Sequence, residues 1–378
     1  MAKKYIKLIL ILIIPALLTG CWDYNDINRR SITLSVGVDE INGNVEITGR
    51  IANLTSKSSA TEGEAQLSDT YFFQSTGYNF EKARFDFDTH VPSEDFSGAL
   101  RVITFSKKYA QKGIESYINR IDFLPGMRKS LLITACMEPT RDLFLKPVKN
   151  DISVGYAIEN TIRTLEREGM SIYTTLQDIQ SSIQFKDIGY VIPYITKEND
   201  SIKYLGLAAM KDSKLVGIID SRDSIGYLLI LGEKTKHENV ISHPRNIENP
   251  LSLKSILKKR KITTSYVDNK VNIDMKLNIN TQLIYPYYME SINSDDIKTL
   301  EEELSNNIKK AVLSAIERSQ TEFQCDIFGF GKYFKADNYN IYKNINWQEE
   351  YLKANFNVDV ELKIVNFNLF ETEPTKNN

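Results

Sequence analysis

The sequence has few of the residues that build metal and redox sites. Its 378 residues include three cysteines and three histidines, and it contains no C-x-x-C and no H-E-x-x-H. His237 and His243 lie six positions apart, with Glu238 next to the first. A metal site is one interpretation of this pattern, but two exposed loop histidines are the commoner one. We therefore expect no metal site.

Catalytic motifs are missing as well. There is no G-x-S-x-G and no Walker loop. The pair Gly329 and Gly331 lacks the third glycine of a dinucleotide-binding loop and follows a predicted helix rather than a strand, so we interpret it as a tight turn. Acidic residues are plentiful, so a pair of carboxylates that acts as in a glycosidase stays an alternative. Since the sequence contains no recognisable catalytic motif, we predict a protein that is not an enzyme and has no cofactor.

Positive charge is neither abundant nor concentrated. The formal net charge is −2, and no basic stripe runs along the chain. Proteins that bind DNA or RNA use such a surface to neutralise phosphates. We therefore expect no nucleic-acid partner.

The chain also lacks an apolar run long enough to cross a membrane. The main apolar run, residues 8–18, covers about 16 Å as a helix, whereas a hydrocarbon core is roughly 30 Å thick. Lys3, Lys4 and Lys7 precede this run, and a basic start before a short apolar segment is typical of a signal peptide. We predict that residues 1–20 are a cleaved signal.

The apolar segment ends at Leu18, Thr19, Gly20 and Cys21, the apolar, small, Gly, Cys order of a bacterial lipobox. In such a motif the thiol receives a diacylglycerol, and cleavage between Gly20 and Cys21 frees an amine for N-palmitoylation. Two or more acyl chains hold a protein stably on a membrane. We predict lipid attachment at Cys21 after Sec-type export; the alternative is a plain secreted protein with a chance cysteine.

The remaining cysteines, Cys136 and Cys325, lie in a predicted buried strand and at the end of a predicted helix. Export would permit a disulfide between them. We nevertheless expect two free, buried thiols, with the disulfide as the alternative.

The composition is that of a globular protein, with 42% hydrophobic and 25% charged residues. The length predicts two or three domains. We predict an α+β lipoprotein with largely antiparallel or mixed sheets and these parts: the signal peptide over 1–20, an N-terminal mixed α/β domain over 21–197, a small middle hairpin-helix domain over 198–247, a C-terminal α+β domain over 251–372, and a frayed tail over 373–378.

Several segments have patterns of a definite secondary structure. Alternating or apolar runs separated by turn residues predict hairpins, and apolar residues three or four apart predict amphipathic helices. In the first two regions we predict strands over 33–39, 45–51, 101–105, 128–137, 203–210 and 215–219, helices over 77–87, 107–121 and 154–168, and a helix from Ser221 to about Leu231. The two prolines of 243–250 predict a linker there.

The last third has the clearest periodicity. Residues 271–279 and 356–364 alternate strictly between apolar and polar, which indicates strands with one face in water. A helix over 295–323, with Ser294 as its N-cap, is predicted between them. We expect this long helix to lie across an antiparallel or mixed sheet.

Two aromatic clusters leave two interpretations open. They are YPYY at 285–288 and FGFGKYF at 328–334. We expect both to pack in the core, and a ligand or partner surface is the alternative, because aromatic residues are enriched at interfaces.

The order of several segments resembles the Ger(x)C spore germination lipoproteins. The start, CWDYNDIN (21–28) followed by GVD (37–39), is similar to the start of that family. Further segments are similar to its first, middle and C-terminal parts, namely GYNFEKARFDF (77–87), KYAQKGIESYINRI (108–121), GLAAMKDSKLVGIIDSRDSIGYLLILGE (206–233), DIFGFGKYF (326–334) and NINWQEEY (344–351).

The resemblance implies a C subunit of a nutrient germinant receptor. Such a subunit has a multidomain mixed α/β fold without catalysis and works with membrane-embedded A- and B-type subunits on the outer face of the spore inner membrane. By position, the resemblance makes Cys21 the lipid-attachment site and gives structural roles to Trp22, Asp23, Asp326, Gly329 and Gly331.

Two other classes of protein compete with this interpretation. A solute-binding lipoprotein of a membrane transporter would normally have repeated βαβ units in two lobes, and the antiparallel pattern of the last third argues against it. A surface hydrolase would need the nucleophile or metal motifs that the sequence lacks.

Overall fold

The structure is a computed structural model that describes residues 30–52, 70–124, 126–149 and 151–366. These residues form thirteen strands and eleven helices, arranged on two sheets. Both sheets carry helices, so the α+β class expected from the sequence is confirmed. The predicted signal peptide, lipid site and C-terminal tail lie outside the described residues.

The first sheet has nine strands, with its parallel pairs in the middle. Its strands are β1 (Arg30–Ile41), β2 (Asn44–Ala52), β3 (Thr70–Gly77), β4 (Glu94–Phe96), β5 (Val102–Ser106), β6 (Leu132–Cys136), β7 (Tyr190–Glu198), β8 (Ser201–Lys211) and β9 (Lys214–Asp220). The order is β3-β2-β1-β5-β6-β7-β8-β9, and β4 pairs with β1. The pairs β1–β5, β5–β6 and β6–β7 are parallel, and the outer hairpins are antiparallel.

Helices cover both faces of this first sheet. They are α1 (Phe80–His90), α2 (Lys107–Lys112), α3 (Glu115–Asp122), α4 (Thr140–Leu145), α5 (Val154–Arg167) and α6 (Leu176–Phe185). Neighbouring residues of one strand enter different apolar clusters: Ile103 packs in one and Val102 in the other. Two-sided burial explains why β5 and β6 are buried along their whole length.

The second sheet is built from four strands and a long helix. Its strands are β10 (Lys236–His243), β11 (Asn246–Val267), β12 (Lys270–Pro286) and β13 (Asn355–Asn366), in that order, and its helices are α7 (Ile225–Leu231), α8 (Ser294–Thr321), α9 (Phe330–Asp337), α10 (Tyr339–Tyr342) and α11 (Trp347–Lys353). The alternating strands predicted near 271–279 and 356–364 are neighbours, and they run parallel. The sheet is therefore mixed, since the other pairs are antiparallel.

The apolar stripe of α8 packs on this sheet, as the sequence predicts. Leu300, Leu304 and Ile308 are buried in the same cluster as Leu277 and Val358 of the strands. The helix begins one residue before the predicted 295, because Asn293 rather than Ser294 is the N-cap. The Asn293 side chain accepts from the backbone N–H of Asp296, and the Asp296 carboxylate accepts from the backbone N–H of Asn293.

Two local predictions were wrong for identifiable reasons. The helix expected over 107–121 is two helices, because Gly113 has a φ of +129°, which a continuing right-handed helix does not allow. The linker expected over 243–250 is a hairpin instead. Pro244 lies in its turn, and Pro250 lies within β11, where its carbonyl accepts from the backbone N–H of Tyr287.

The segment expected to form a separate middle domain contributes to both sheets. Its hairpin, β8 and β9, ends the first sheet, whereas β10 is an edge of the second. Between them α7 packs on α8 so closely that a Cβ on Gly226 would lie 2.1 Å from the Ala311 carbonyl oxygen. The domain boundaries themselves stay a prediction.

Candidate functional site

Three of the predicted motif residues meet at one buried turn after α8. Asp326 is almost fully buried, and its carboxylate accepts three N–H groups. Its Oδ1 lies 3.1 Å from the backbone nitrogen of Phe330, and its Oδ2 lies 2.7 Å from that of Gly331 and 3.1 Å from Nε1 of Trp347. The carboxylate thus satisfies the free N–H groups at the start of α9 and ties this helix to α11.

Burial has the largest effect on the pKa of this carboxyl group. Removal from water raises the pKa of Asp326 above its ordinary value, and the N–H groups of Gly331, Phe330 and Trp347 offset part of that increase. The group therefore ionises at a higher pH in the folded chain than in the unfolded chain. It lies inside the aromatic core with no route to a substrate, so its chemistry is that of a structural cap.

The two glycines of the turn are required for different reasons. Gly329 is the residue before α9 and has a φ of +76°, a left-handed conformation that glycine adopts without strain. Gly331 is helical, but a Cβ there would lie 2.7 Å from Nε1 of Trp347 and 3.1 Å from Cγ2 of Ile188. The first glycine makes the turn, and the second makes room for Trp347.

The aromatic residues around this turn form a continuous buried cluster. The rings of Phe334 and Trp347 stack with centroids 5.2 Å apart, and Phe330 stacks on Tyr351 at 6.3 Å. The turn also contacts the first sheet's side of the molecule, since the backbone N–H of Gly189 donates to the Asp326 carbonyl at 3.0 Å. The predicted core packing is therefore confirmed for Phe328, Phe330 and Phe334, whereas Tyr333 is 41% exposed.

The other aromatic cluster has the opposite environment. Tyr285, Tyr287 and Tyr288 are 50%, 56% and 60% exposed, and the following Met289 is 77% exposed. The rings of Tyr285 and Tyr287 contact each other with centroids 5.6 Å apart. The expectation that this cluster packs in the core was wrong, because β12 ends at Pro286 and leaves the following rings beyond the sheet.

The histidines are placed differently from the sequence expectation. His237 and His243 lie on β10 rather than in a loop, and His243 is buried, with its Nδ1 accepting from the backbone N–H of Arg245. Within the described part of the chain, no three His, Cys, Asp or Glu side chains are placed to hold a metal ion together.

A cleft of about 870 Å³ lies where α5, the β8 hairpin and β10 meet. Its lysines are paired with acids: Lys236 with Glu168 at 3.1 Å, and Lys203 with Glu198 at 2.9 Å. These two lysines are therefore not free cations. His237 also lines this cleft, and burial lowers the pKa of its imidazole.

The two cysteines of the described residues are buried and free. Burial raises the pKa of both thiols, that of Cys325 to about 12. A thiol with so high a pKa has almost no thiolate at neutral pH, so neither cysteine is a nucleophile.

The motif residues Gly20, Cys21, Trp22 and Asp23 lie outside the described residues, and their predicted roles stay predictions. Sequence reasoning did not identify the partners that complete the two aromatic clusters. Trp347 was noted only within a resembling segment, and Asn249, which is fully buried, gave no signal at all. Among the helices that the structure describes, none combines the length and apolar character needed to span a membrane.

Comparison with known families assigns both halves of the chain. Residues 23–197 match the family described as "Spore germination protein N-terminal domain", and residues 205–368 match "Spore germination B3/ GerAC like, C-terminal". The chain belongs to the Ger(x)C family of spore germination proteins. The buried turn at Asp326 lies in the second of these two halves.

Individual relatives of this Ger(x)C chain are distant but match along most of its length. From Bacillus subtilis (strain 168), "Spore germination protein YndF" is 22% identical and covers 97% of both chains. "Spore germination protein A3" is 27% identical over 74% of each chain, and "Spore germination protein B3" is 21% identical over 93% of this chain and 94% of its own. The solved structure described as "Crystal Structure of the GerBC protein" covers 90% of this chain and 100% of its own, with 17% identity and a TM-score of 0.52, and supports the fold.

Proposed function

We propose that this chain is the lipid-anchored C subunit of a nutrient germinant receptor. The observation that carries the proposal is the order of the sequence: a lipobox ending at Cys21 leads directly into residues 23–197 and 205–368, which match the two halves of a spore germination family. The subunit acts by association with A- and B-type membrane subunits at the outer face of the spore inner membrane. It has no catalytic role.

The competing class is a solute-binding lipoprotein, and the sheet order disfavours it. Such a protein needs two lobes of repeated βαβ units that close on a ligand. In this chain the second sheet has one parallel pair, β12–β13, beside two antiparallel pairs. The lysines Lys203 and Lys236 of the cleft are already paired with Glu198 and Glu168, so neither of these cations is free to bind a solute there.

The lipid anchor is tested with Cys21→Ala. Acylation needs the thiol, so this variant should lose labelling by a palmitate analogue and leave the membrane fraction of sporulating cells. Thr19→Ser keeps the lipobox order and serves as the control. If Cys21→Ala were still labelled, the anchor assignment would be wrong.

The receptor role is tested by deletion of the gene in a strain without a paralogue. We expect loss of germination with at least one nutrient and restoration by the wild-type gene. An unchanged response to all nutrients would refute the proposal.

A further inference from the structure

A cluster of large apolar side chains lies exposed at one end of the second sheet. We call it the tyrosine patch; its residues are Tyr285, Tyr287, Tyr288 and Met289. The neighbouring hairpin adds Ile247, which is 82% exposed, and Val240, which is 62% exposed. Val240 faces Ser252 across β10–β11, and Ser252 faces Tyr285 across β11–β12, so these residues follow one line across the sheet.

The backbone under the tyrosine patch is fixed. The side chain of the fully buried Asn249 donates to the carbonyl of Tyr288 and accepts from its backbone N–H, both at 2.9 Å. The backbone N–H of Tyr287 donates to the Pro250 carbonyl at 3.0 Å. The backbone that carries the exposed rings is therefore fixed, so little backbone freedom remains to be lost when a partner covers them.

The charges beside the patch select its occupant. Glu248 is exposed, and Glu290 accepts a hydrogen bond from Asn246, whereas the nearby Arg245 is bound to Asp296 at 2.9 Å. Among the residues that the structure describes, the surroundings are thus acidic, and the nearby cation Arg245 is already paired with an acid. An anionic bilayer surface attracts lysine and arginine and would be repelled here.

We propose that the tyrosine patch is the docking surface for a partner protein that has an apolar centre and a basic rim. Tyrosine and methionine are enriched in protein interfaces, and tyrosine is common among the residues that contribute most to binding. This inference rests on the proposed function, which supplies the partner: a membrane subunit of the same receptor.

The docking surface is tested in spores by a photo-cross-linking amino acid at position 288, with position 78 as the matched control. Tyr78 is 70% exposed but lies before α1, on the first sheet's side of the chain. We expect a cross-link from position 288 to the A- or B-type subunit and none from position 78. A cross-link from position 288 to lipid or to a second copy of the chain would overturn the proposal.

A double variant gives the quantitative test. Tyr287→Ala with Tyr288→Ala should reduce co-purification of the receptor subunits by roughly tenfold or more, and Tyr78→Ala should leave it unchanged. Glu248→Lys should also weaken it, whereas Glu248→Asp should not. Equal co-purification of the double variant and the wild type would refute the docking surface alone; no co-purification of the wild type would refute the proposed function instead.

Discussion

The two aromatic segments of the second half have similar compositions and opposite environments. In residues 328–334 the rings of Phe330 and Phe334 are completely buried, whereas in residues 285–288 the tyrosines are at least half exposed. Each segment has a small or rigid residue between its rings, glycine in one and proline in the other. Aromatic content alone therefore does not distinguish a core segment from a surface segment.

The difference arises from the polar residue that holds each backbone. Asp326 lies at the centre of its cluster, so the chain wraps around it and the rings turn inward. Asn249 lies under the other segment and holds the backbone of Tyr288 from below, which leaves the rings on the outer side. A buried polar group that is fully hydrogen-bonded can thus fix either arrangement.

The largest expected effect is the difference in unfolding free energy between a variant in the buried segment and a variant in the exposed segment. Phe330→Ala removes a fully buried ring and should lower the free energy of unfolding by about 3–5 kcal/mol. Tyr288→Ala removes an exposed ring and should change it by less than about 0.5 kcal/mol. Chemical denaturation of the two variants measures the contrast, and similar losses in both would mean that the tyrosine segment also supports the core.

A smaller effect distinguishes the two glycines of the buried turn. Gly331→Ala forces a Cβ against Trp347 and should cost about 1–3 kcal/mol. At Gly329 the nearest atoms to a Cβ are 3.9 Å away, so only the left-handed backbone opposes substitution. Asparagine tolerates that conformation. We therefore expect Gly329→Asn to be nearly neutral and Gly331→Asn to be strongly destabilising; equal effects would contradict this division.

The third effect is a pH dependence of the stability to which Asp326 should contribute. Because the folded-state pKa of Asp326 is raised above the ordinary 3.8, the folded chain holds its proton to a higher pH than the unfolded chain. The stability linked to this proton is complete below 3.8 and is lost as pH rises through the folded-state pKa, by at most about 1.4 kcal/mol per pH unit.

This dependence is measured as the stability of the wild type minus that of Asp326→Asn. The difference should fall as pH rises from about 4 toward neutral. Asp295, which is 85% exposed, replaced by Asn is the matched control for the change from a carboxyl group to an amide. A difference that rose with pH would mean that the N–H donors dominate over burial.

The periodic elements of the fold could be predicted from the sequence, because periodicity reports which face is buried. The long helix, the strands near residues 271 and 356 and the first hairpin all follow from the spacing of apolar residues. The break at Gly113 could not be predicted in this way, since the flanking residues keep a helical pattern. It depends on a contact far along the chain, where the backbone N–H of Ile114 donates to the Ser213 carbonyl.

The candidate site could be predicted only in part for a similar reason. Asp326, Gly329 and Gly331 are close in sequence, so their association in one turn could be foreseen. Trp347 joins them from sixteen or more positions away, and Asn249 reaches Tyr288 across 39 positions. Such residues become neighbours only when the chain folds, and the sequence near each of them carries no signal for its partner.

The parallel pairing of β12 with β13 makes the second sheet depend on the last part of the chain to be synthesised. The two strands are joined through α8 and the whole turn at Asp326, so the strand that completes the second sheet is synthesised last of its four. Val358 and Leu362 of β13 belong to the same buried cluster as Leu304 of α8. A chain interrupted before residue 355 therefore leaves one side of α8 uncovered, and its exposed apolar surface makes such a chain prone to aggregation.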